Sequence, residues 1–244
     1  MFRRISVMLS AAAVALAGAS SMAAAQSAKP TTSFTGDLGY VGASGNTKLT
    51  TLSIGDKIVH TRGAWTLTQT AAYVYGETNG AESANQLGIT GRADWAFHPR
   101  LGLFAAASYE RNPFAGFRRR TDELVGLRWK AMTAPRDSLS VDAGAEFTQQ
   151  TDVSGTSDSY PAARAAAAYK HVFSKLAYFQ QLAEYIPALQ SGRGYRVNTE
   201  SSLVAPISTH IGIKMGYAIK YNSQPPVNFG TTDRLLTAGV QVSY

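Results

Sequence analysis

The sequence predicts an all-β protein: a transmembrane, antiparallel, up-and-down β-barrel of about twelve strands that follows a cleaved signal peptide. Three observations predict it. Residues 1–25 have the anatomy of a secretory signal, with Arg3 and Arg4 at the start, an apolar stretch from Ile5 to Ala19, and Ala23-Ala24-Ala25 before Gln26. Beyond them, segments of strand length with period-two alternation recur between clusters of Gly, Pro, Asn, Asp and Ser. The chain closes on such a segment, with Leu236, Ala238, Val240, Val242 and Tyr244 on one face and Leu235, Thr237, Gly239, Gln241 and Ser243 on the other. An apolar face that ends on an interfacial tyrosine suits a bilayer.

These observations divide the chain into a signal (1–25), a short periplasmic segment (26–32) and a barrel (33–244). After the signal, no run of 18 or more apolar residues remains, so a membrane-spanning helix is excluded. Only a closed barrel then satisfies every backbone N–H and C=O in lipid. The chain has no Cys, so neither a disulfide framework nor a thioether lipid anchor is available. A soluble exported sandwich is the alternative fold. It fits less well, because the strands are about nine to fourteen residues long, the length a tilted membrane strand needs.

The first strand covers 33–41 and ends near Tyr40; the second covers 49–59; the third, 65–76, runs from Trp65 to Tyr75. In the fourth, 85–97, Leu87, Ile89, Ala93, Trp95 and Phe97 alternate with Thr90, Arg92 and Asp94, so lipid takes the first set and the lumen the second. The fifth, 101–111, carries Tyr109, and the sixth, 120–132, carries Trp129. In the seventh, 138–149, Leu139, Val141, Ala143, Ala145 and Phe147 oppose Asp142 and Glu146. The eighth and ninth, 160–173 and 176–186, lie in an Ala-, Leu- and Gln-rich stretch, 162–189, that also has a helical face in Tyr169, Phe173, Leu176, Ala183 and Ile186. Strands are preferred there because Ala163, Ala165, Ala167 and Tyr169 alternate against Arg164 and Lys170. The tenth, 195–206, begins at Tyr195. In the eleventh, 211–222, Ile211, Ile213, Met215, Tyr217, Ile219 and Tyr221 oppose Lys214, Lys220 and Asn222, and the twelfth is 234–244.

The connections alternate in length. Those at 42–48, 76–84, 112–119, 150–159, 187–194 and 223–233 are long, and the intervening ones are tight, which is the long-outside, short-periplasmic asymmetry of outer-membrane barrels. An even strand number puts both termini in the periplasm of a Gram-negative-type bacterium.

Charge narrows the function. Arg3 and Arg4 account for two of the 23 basic residues, so the mature chain keeps 21 against 16 acids, an excess of about +5. With no basic helix, zinc pattern or aromatic stacking motif, nucleic acid is excluded as a partner. Lipid-cleaving barrels need a serine and a histidine in contact. Here His60, His98, His171 and His210 fall at periplasmic positions, and Ser44 and Ser191 at the other end. No catalytic set, cofactor or metal site is therefore expected. Asp152, Asp158, Glu77, Glu82 and Asp233 lie scattered over several loops, without the dense spacing of a calcium site.

The predicted lumen holds Arg92, Asp94, Glu110, Arg128, Lys130, Asp142, Glu146, Arg164, Lys170, Arg196, Glu200, Lys214 and Lys220. Two readings stay open: an aqueous path in which these charges set ion or solute preference, or a network that pairs across the interior and plugs it. If the path is open, the basic excess predicts a preference for small anions. Arg118, Arg119 and Arg120 are expected on an external loop, where they would hold lipopolysaccharide phosphates, fold over the mouth or form a solvated rim.

Several segments carry a family likeness: Gly39-Tyr40 followed by Ser44-Gly45-Asn46-Thr47; Ala107-Ser108-Tyr109-Glu110-Arg111 with Phe114 and Gly116-Phe117; Leu139 to Gly144; and Tyr221-Asn222-Ser223 with Pro225-Pro226 and Thr232-Asp233. In this order the chain resembles the salt-induced outer-membrane proteins of the YdiY-like type, whose biochemical role is largely unassigned. The resemblance implies an outer-membrane barrel and transfers no functional residue. The last strand, through Thr237, Gly239, Val242 and Tyr244, also resembles the terminal signal by which barrels are handed to their assembly machinery. The expected function is a small passive channel or an envelope stress-adaptation protein acting without catalysis. A structural barrel with a charge-plugged lumen, or an outer-leaflet lipid enzyme, is the alternative.

Overall fold

The computed structural model describes residues 29–43, 48–174 and 177–244. The expected signal peptide, and Ser44-Gly45-Asn46-Thr47 and Leu176, lie outside the described residues. Twelve strands follow one another: β1 (Thr31–Ala43), β2 (Leu49–Arg62), β3 (Trp65–Thr78), β4 (Ala81–His98), β5 (Leu101–Asn112), β6 (Phe117–Thr133), β7 (Asp137–Asp152), β8 (Ser157–Val172), β9 (Tyr178–Pro187), β10 (Tyr195–Pro206), β11 (Ile211–Asn222) and β12 (Thr232–Ser243). Each pairs antiparallel with its sequence neighbours, and β1 pairs with β12 to close the barrel. Closure removes the edges that an open sheet would present to lipid.

The seam is a ladder from Thr35↔Ser243 to Gly39↔Gly239, extended by reciprocal hydrogen bonds of 2.9 Å between Phe34 and Tyr244. Gly39 and Gly239 face each other inside the barrel, where the two backbones meet without side chains between them. A Cβ on Gly239 would overlap the Leu38 carbonyl oxygen and stand 2.5 Å from Gly39 Cα. The outward set reads Phe34, Leu38 and Tyr40 on β1, Trp65 and Leu67 on β3, Val125, Leu127 and Trp129 on β6, and Leu236, Val240 and Tyr244 on β12, all exposed to the exterior. Rings gather at the strand ends as expected of interfacial girdles. Trp65 stacks on Trp95 at 6.3 Å near the periplasmic end, and Tyr195 lies 5.5 Å from Tyr185 and 5.7 Å from Tyr221 near the other.

The 162–189 stretch is extended. β8 and β9 pair from Ala165↔Tyr185 to Val172↔Tyr178, with Arg164 and Glu184 joined inside. The helical periodicity there yields to the ladder, because each strand's hydrogen bonds need a partner strand on both sides.

The strands overrun their predicted ends at the extracellular side. The expected long connection at 76–84 is a two-residue turn, Asn79-Gly80, with φ of 53° and 80°. Both positive angles are those of a primed hairpin turn. The connection expected at 112–119 shrinks to a 3-10 turn, Pro113–Ala115, and Gly116. Apart from Phe117, these extensions are small or polar on both faces, so alternation does not mark them, yet the backbone continues to pair above the membrane.

Candidate functional site

Successive residues on a strand point to opposite sides, so each lumen charge is placed by its register. In the periplasmic half, Arg92 donates from Nε and Nη2 to Asp94 at 2.9 and 2.7 Å and from Nη1 to Asp142 at 2.8 Å. Arg128 reaches the same Asp142 at 2.8 and 3.0 Å and Asp94 at 3.2 Å. The Arg92 guanidinium also lies 3.7 Å above the Phe104 ring. Two arginines and two aspartates from β4, β6 and β7 thus form one closed network. Across the lumen, a second chain of contacts bridges the seam. Tyr178 donates to Gln241 at 2.7 Å, Gln241 donates to Asp37 at 2.8 Å, and Lys214 donates to Asp37 at 2.7 Å.

The extracellular half has its own cluster. Arg196 donates to Glu146 at 2.6 Å, to Thr148 at 3.0 Å and to Asp122 at 3.2 Å, and Thr148, fully buried, donates to Asp122 at 2.7 Å. Glu110 accepts from Lys220 at 2.5 Å and Gln86 at 3.0 Å, with Arg120 at 3.7 Å. Buried charges of this kind persist because each finds a partner of opposite sign.

These networks involve strands around most of the barrel, β1, β4–β7 and β9–β12. The wall of β1–β4 presents Ser53, Gly55, Thr70, Ala72, Gly88 and Thr90, small side chains that leave an interior cavity of about 760 Å³. Its deepest residues include Asp37 and Lys214, and it rises past Glu200, Glu110 and Lys220 toward the mouth. Over that mouth runs the β11–β12 connection, a strap from Ser223 to Thr231 held by Asn222 N–H to Thr231 O at 2.8 Å and Phe229 N–H to Pro226 O at 3.1 Å. It reaches the opposite wall at Gly116. A Cβ on that residue would stand 2.8 Å from Pro226 Cγ and 2.9 Å from Phe229 Cδ2. Gly116 has φ of 92°, so both its backbone and the strap demand glycine there.

Of the predicted lumen residues, Arg92, Asp94, Arg128 and Asp142 meet in one network, Glu146 and Arg196 in another, Glu110 and Lys220 in a third, and Arg164 pairs with Glu184. Lys214 pairs with Asp37. Lys130 and Glu200 also alternate inward, but neither has an ion-pair partner among the described residues, and both remain exposed. Sequence reasoning missed Asp37, Lys57, Asp122 and Glu184. For Asp122 the signal was present: Val125, Leu127 and Trp129 alternate outward, which sends Asp122 inward and Glu123 out.

The external basic loop needs correction. Arg120 is an inward residue of β6, 7% exposed, donating to Gln150 at 2.8 and 2.6 Å and lying 4.0 Å above the Phe117 ring. Arg118 and Arg119 also belong to β6 and are exposed, with Arg119 donating to Thr151 at 3.1 Å. A run of three arginines in a strand cannot share one face, so the cluster splits.

The basic excess of the whole chain does not carry over to the lumen as a whole. Much of that excess is carried by outward and turn residues, such as Arg62, Arg100, Arg111 and Arg136, while the inward acids nearly match the inward bases. The histidines sit at periplasmic positions. His60 contacts Thr32 at 2.9 Å, His171 contacts Asp137 at 2.7 Å, and His210 stacks on Tyr244 at 5.0 Å.

Comparison with known proteins agrees with this architecture. The chain is 28% identical over 216 residues to "Uncharacterized protein YdiY" of Escherichia coli (strain K12), covering 86% of this chain and 83% of that protein. Among solved structures, the translocator domain of autotransporter NalP from Neisseria meningitidis shares the fold with a TM-score of 0.50, 13% identity and 87% of each chain covered. The NanC porin aligns with a TM-score of 0.47 and 11% identity, over 86% of this chain and 97% of that one. The closed barrel, its apolar exterior and its girdles place the protein in the outer membrane. The family described as "Protein of unknown function, DUF481" matches residues 36–244, and the chain belongs to that family.

Proposed function

We propose that the protein is a passive, non-catalytic conduit for small ions and hydrophilic solutes across the outer membrane, serving envelope adaptation. One observation carries this reading: the wall of Ser, Thr, Gly and Ala side chains on β1–β4 leaves a cavity of about 760 Å³ in a barrel that larger residues would fill. The strap limits access from outside. Single-channel recording of the refolded chain 26–244 is expected to show small unitary currents, and replacing 225–229 by two glycines is expected to enlarge them severalfold. Silent bilayers for both proteins would favour the second reading, a plugged structural barrel. The closed Arg92–Asp94–Arg128–Asp142 network supports that second reading.

Two partners belong to the proposal. Arg111, Arg118 and Arg119 face outward or lie exposed at the extracellular rim, where the phosphates of lipopolysaccharide sit. The assembly machinery would engage β12 through Gly239, Val242 and Tyr244. Deleting Tyr244 removes the Phe34 hydrogen bonds and the His210 stack. Slower insertion in cells with unchanged unitary current is expected, read by the heat-sensitive gel shift and by conductance. Insertion at the normal rate would sink the recognition role.

A further inference from the structure

The lumen charges separate along the barrel axis. In the periplasmic halves of their strands, Lys57, Arg92, Arg128, Lys130, Lys170 and Lys214 point inward, and Asp37, Asp94 and Asp142 answer them. In the extracellular halves the acids prevail, since Glu200 and Asp233 face inward without an ion-pair partner among the described residues. The two ends of one lumen therefore carry opposite excess charge.

Within the positive half, Lys57 and Lys170 stand apart from the networks. Neither contacts a carboxylate among the described residues. Lys57 cannot use the adjacent Asp56, which the alternation of β2 turns to the outer face beside Ile54 and Ile58. Lys170 rests its ammonium 4.0 Å from the centroid of the Tyr178 ring, and that ring is anchored through Gln241 to Asp37. In the closed order of twelve strands β2 and β8 are six apart, so the two lysines project from opposite walls. Arg128 and Lys214 add two further cations in the same half of the lumen. Cations that face one another across one half of a lumen repel, and a diffusible anion between them relieves the repulsion.

We propose that the periplasmic half of the lumen is an anion-binding belt in which Lys57 and Lys170, from opposite walls, hold a small oxyanion such as phosphate or a carboxylate. The belt deepens the conduit reading by naming the solute class that the periplasmic half favours, and it rests on that reading only for transport. Binding is separable from conductance, so two measurements are made on the refolded chain 26–244.

Inorganic phosphate binding in detergent is followed by calorimetry, and block of chloride current by phosphate is followed in bilayers. Wild type is expected to bind phosphate, K57Q/K170Q to bind it at least tenfold more weakly, and K57R/K170R to retain it. Both lysines lack ion-pair partners, so the heat-sensitive gel shift of each variant is expected to match wild type. Phosphate binding with no current would remove the conduit and leave the belt. A chloride current with phosphate affinity unchanged in K57Q/K170Q would overturn the belt and leave the conduit. Wild type that fails to bind phosphate at low ionic strength overturns the belt whatever the current.

Discussion

Gly239→Ala is expected to prevent barrel closure, in cells and in detergent alike. The added Cβ would overlap the Leu38 carbonyl oxygen, a backbone atom with no rotamer to retreat to, and would press on Gly39 Cα at 2.5 Å. Overpacking alone costs about 1–3 kcal/mol. Here the strain falls on the ladder that joins β1 to β12, and each hydrogen bond lost in lipid adds several kcal/mol. Refolding the purified variant without assembly factors separates closure from recognition, since a fault of recognition alone would leave detergent folding intact. Val240→Leu, on the outward face, should fold normally. Gly39→Ala should be milder, because its Cβ meets the Ala238 oxygen at 3.0 Å and otherwise the Ser53 hydroxyl, which can rotate away. A normal gel shift for Gly239→Ala in detergent would show that the seam tolerates spreading.

Arg196→Met should be the most destabilising change within the lumen. It leaves Glu146 and Asp122 without their shared cation and Thr148, fully buried, with carboxylate neighbours alone. Removing one partner of a buried ion pair costs about 3–5 kcal/mol. Adding Glu146→Leu should recover part of the loss, because replacing both members by apolar groups spares the desolvation of an orphaned charge. Equilibrium unfolding in urea with lipid vesicles measures both. Equal stability of wild type and Arg196→Met would mean that water, not Arg196, satisfies these acids.

The fold was legible because a barrel wall is a one-dimensional code. The alternation of Leu87 to Phe97, Leu139 to Phe147 and Ile211 to Tyr221 against polar neighbours identifies strands and faces without any knowledge of partners. The register of 160–187 was harder, since its alanines suit a helix and a strand equally. Alternation does not mark the extracellular extensions of β4, β6 and β7, because apart from Phe117 their faces are small or polar.

The site was legible only as membership. Parity says that Arg92, Asp142 and Arg196 point inward, but their partners are 50 residues away for Arg92–Asp142 and for Arg196–Glu146. Arg120 shows the limit of composition: beside Arg118 and Arg119 it looks like a surface cluster, yet its register buries it between Gln150 and Phe117.

The sequence by itself determined that this chain is a membrane barrel, how many strands it has and which residues face lipid, because those properties depend on spacing along one chain. Tertiary structure alone decided where the cavity lies, that the 223–231 strap crosses to Gly116, and that the lumen is acidic toward the outside and basic toward the periplasm. Those properties depend on shear and closure, which set the height at which residues of distant strands meet across the lumen. No periodicity within a single strand records that height.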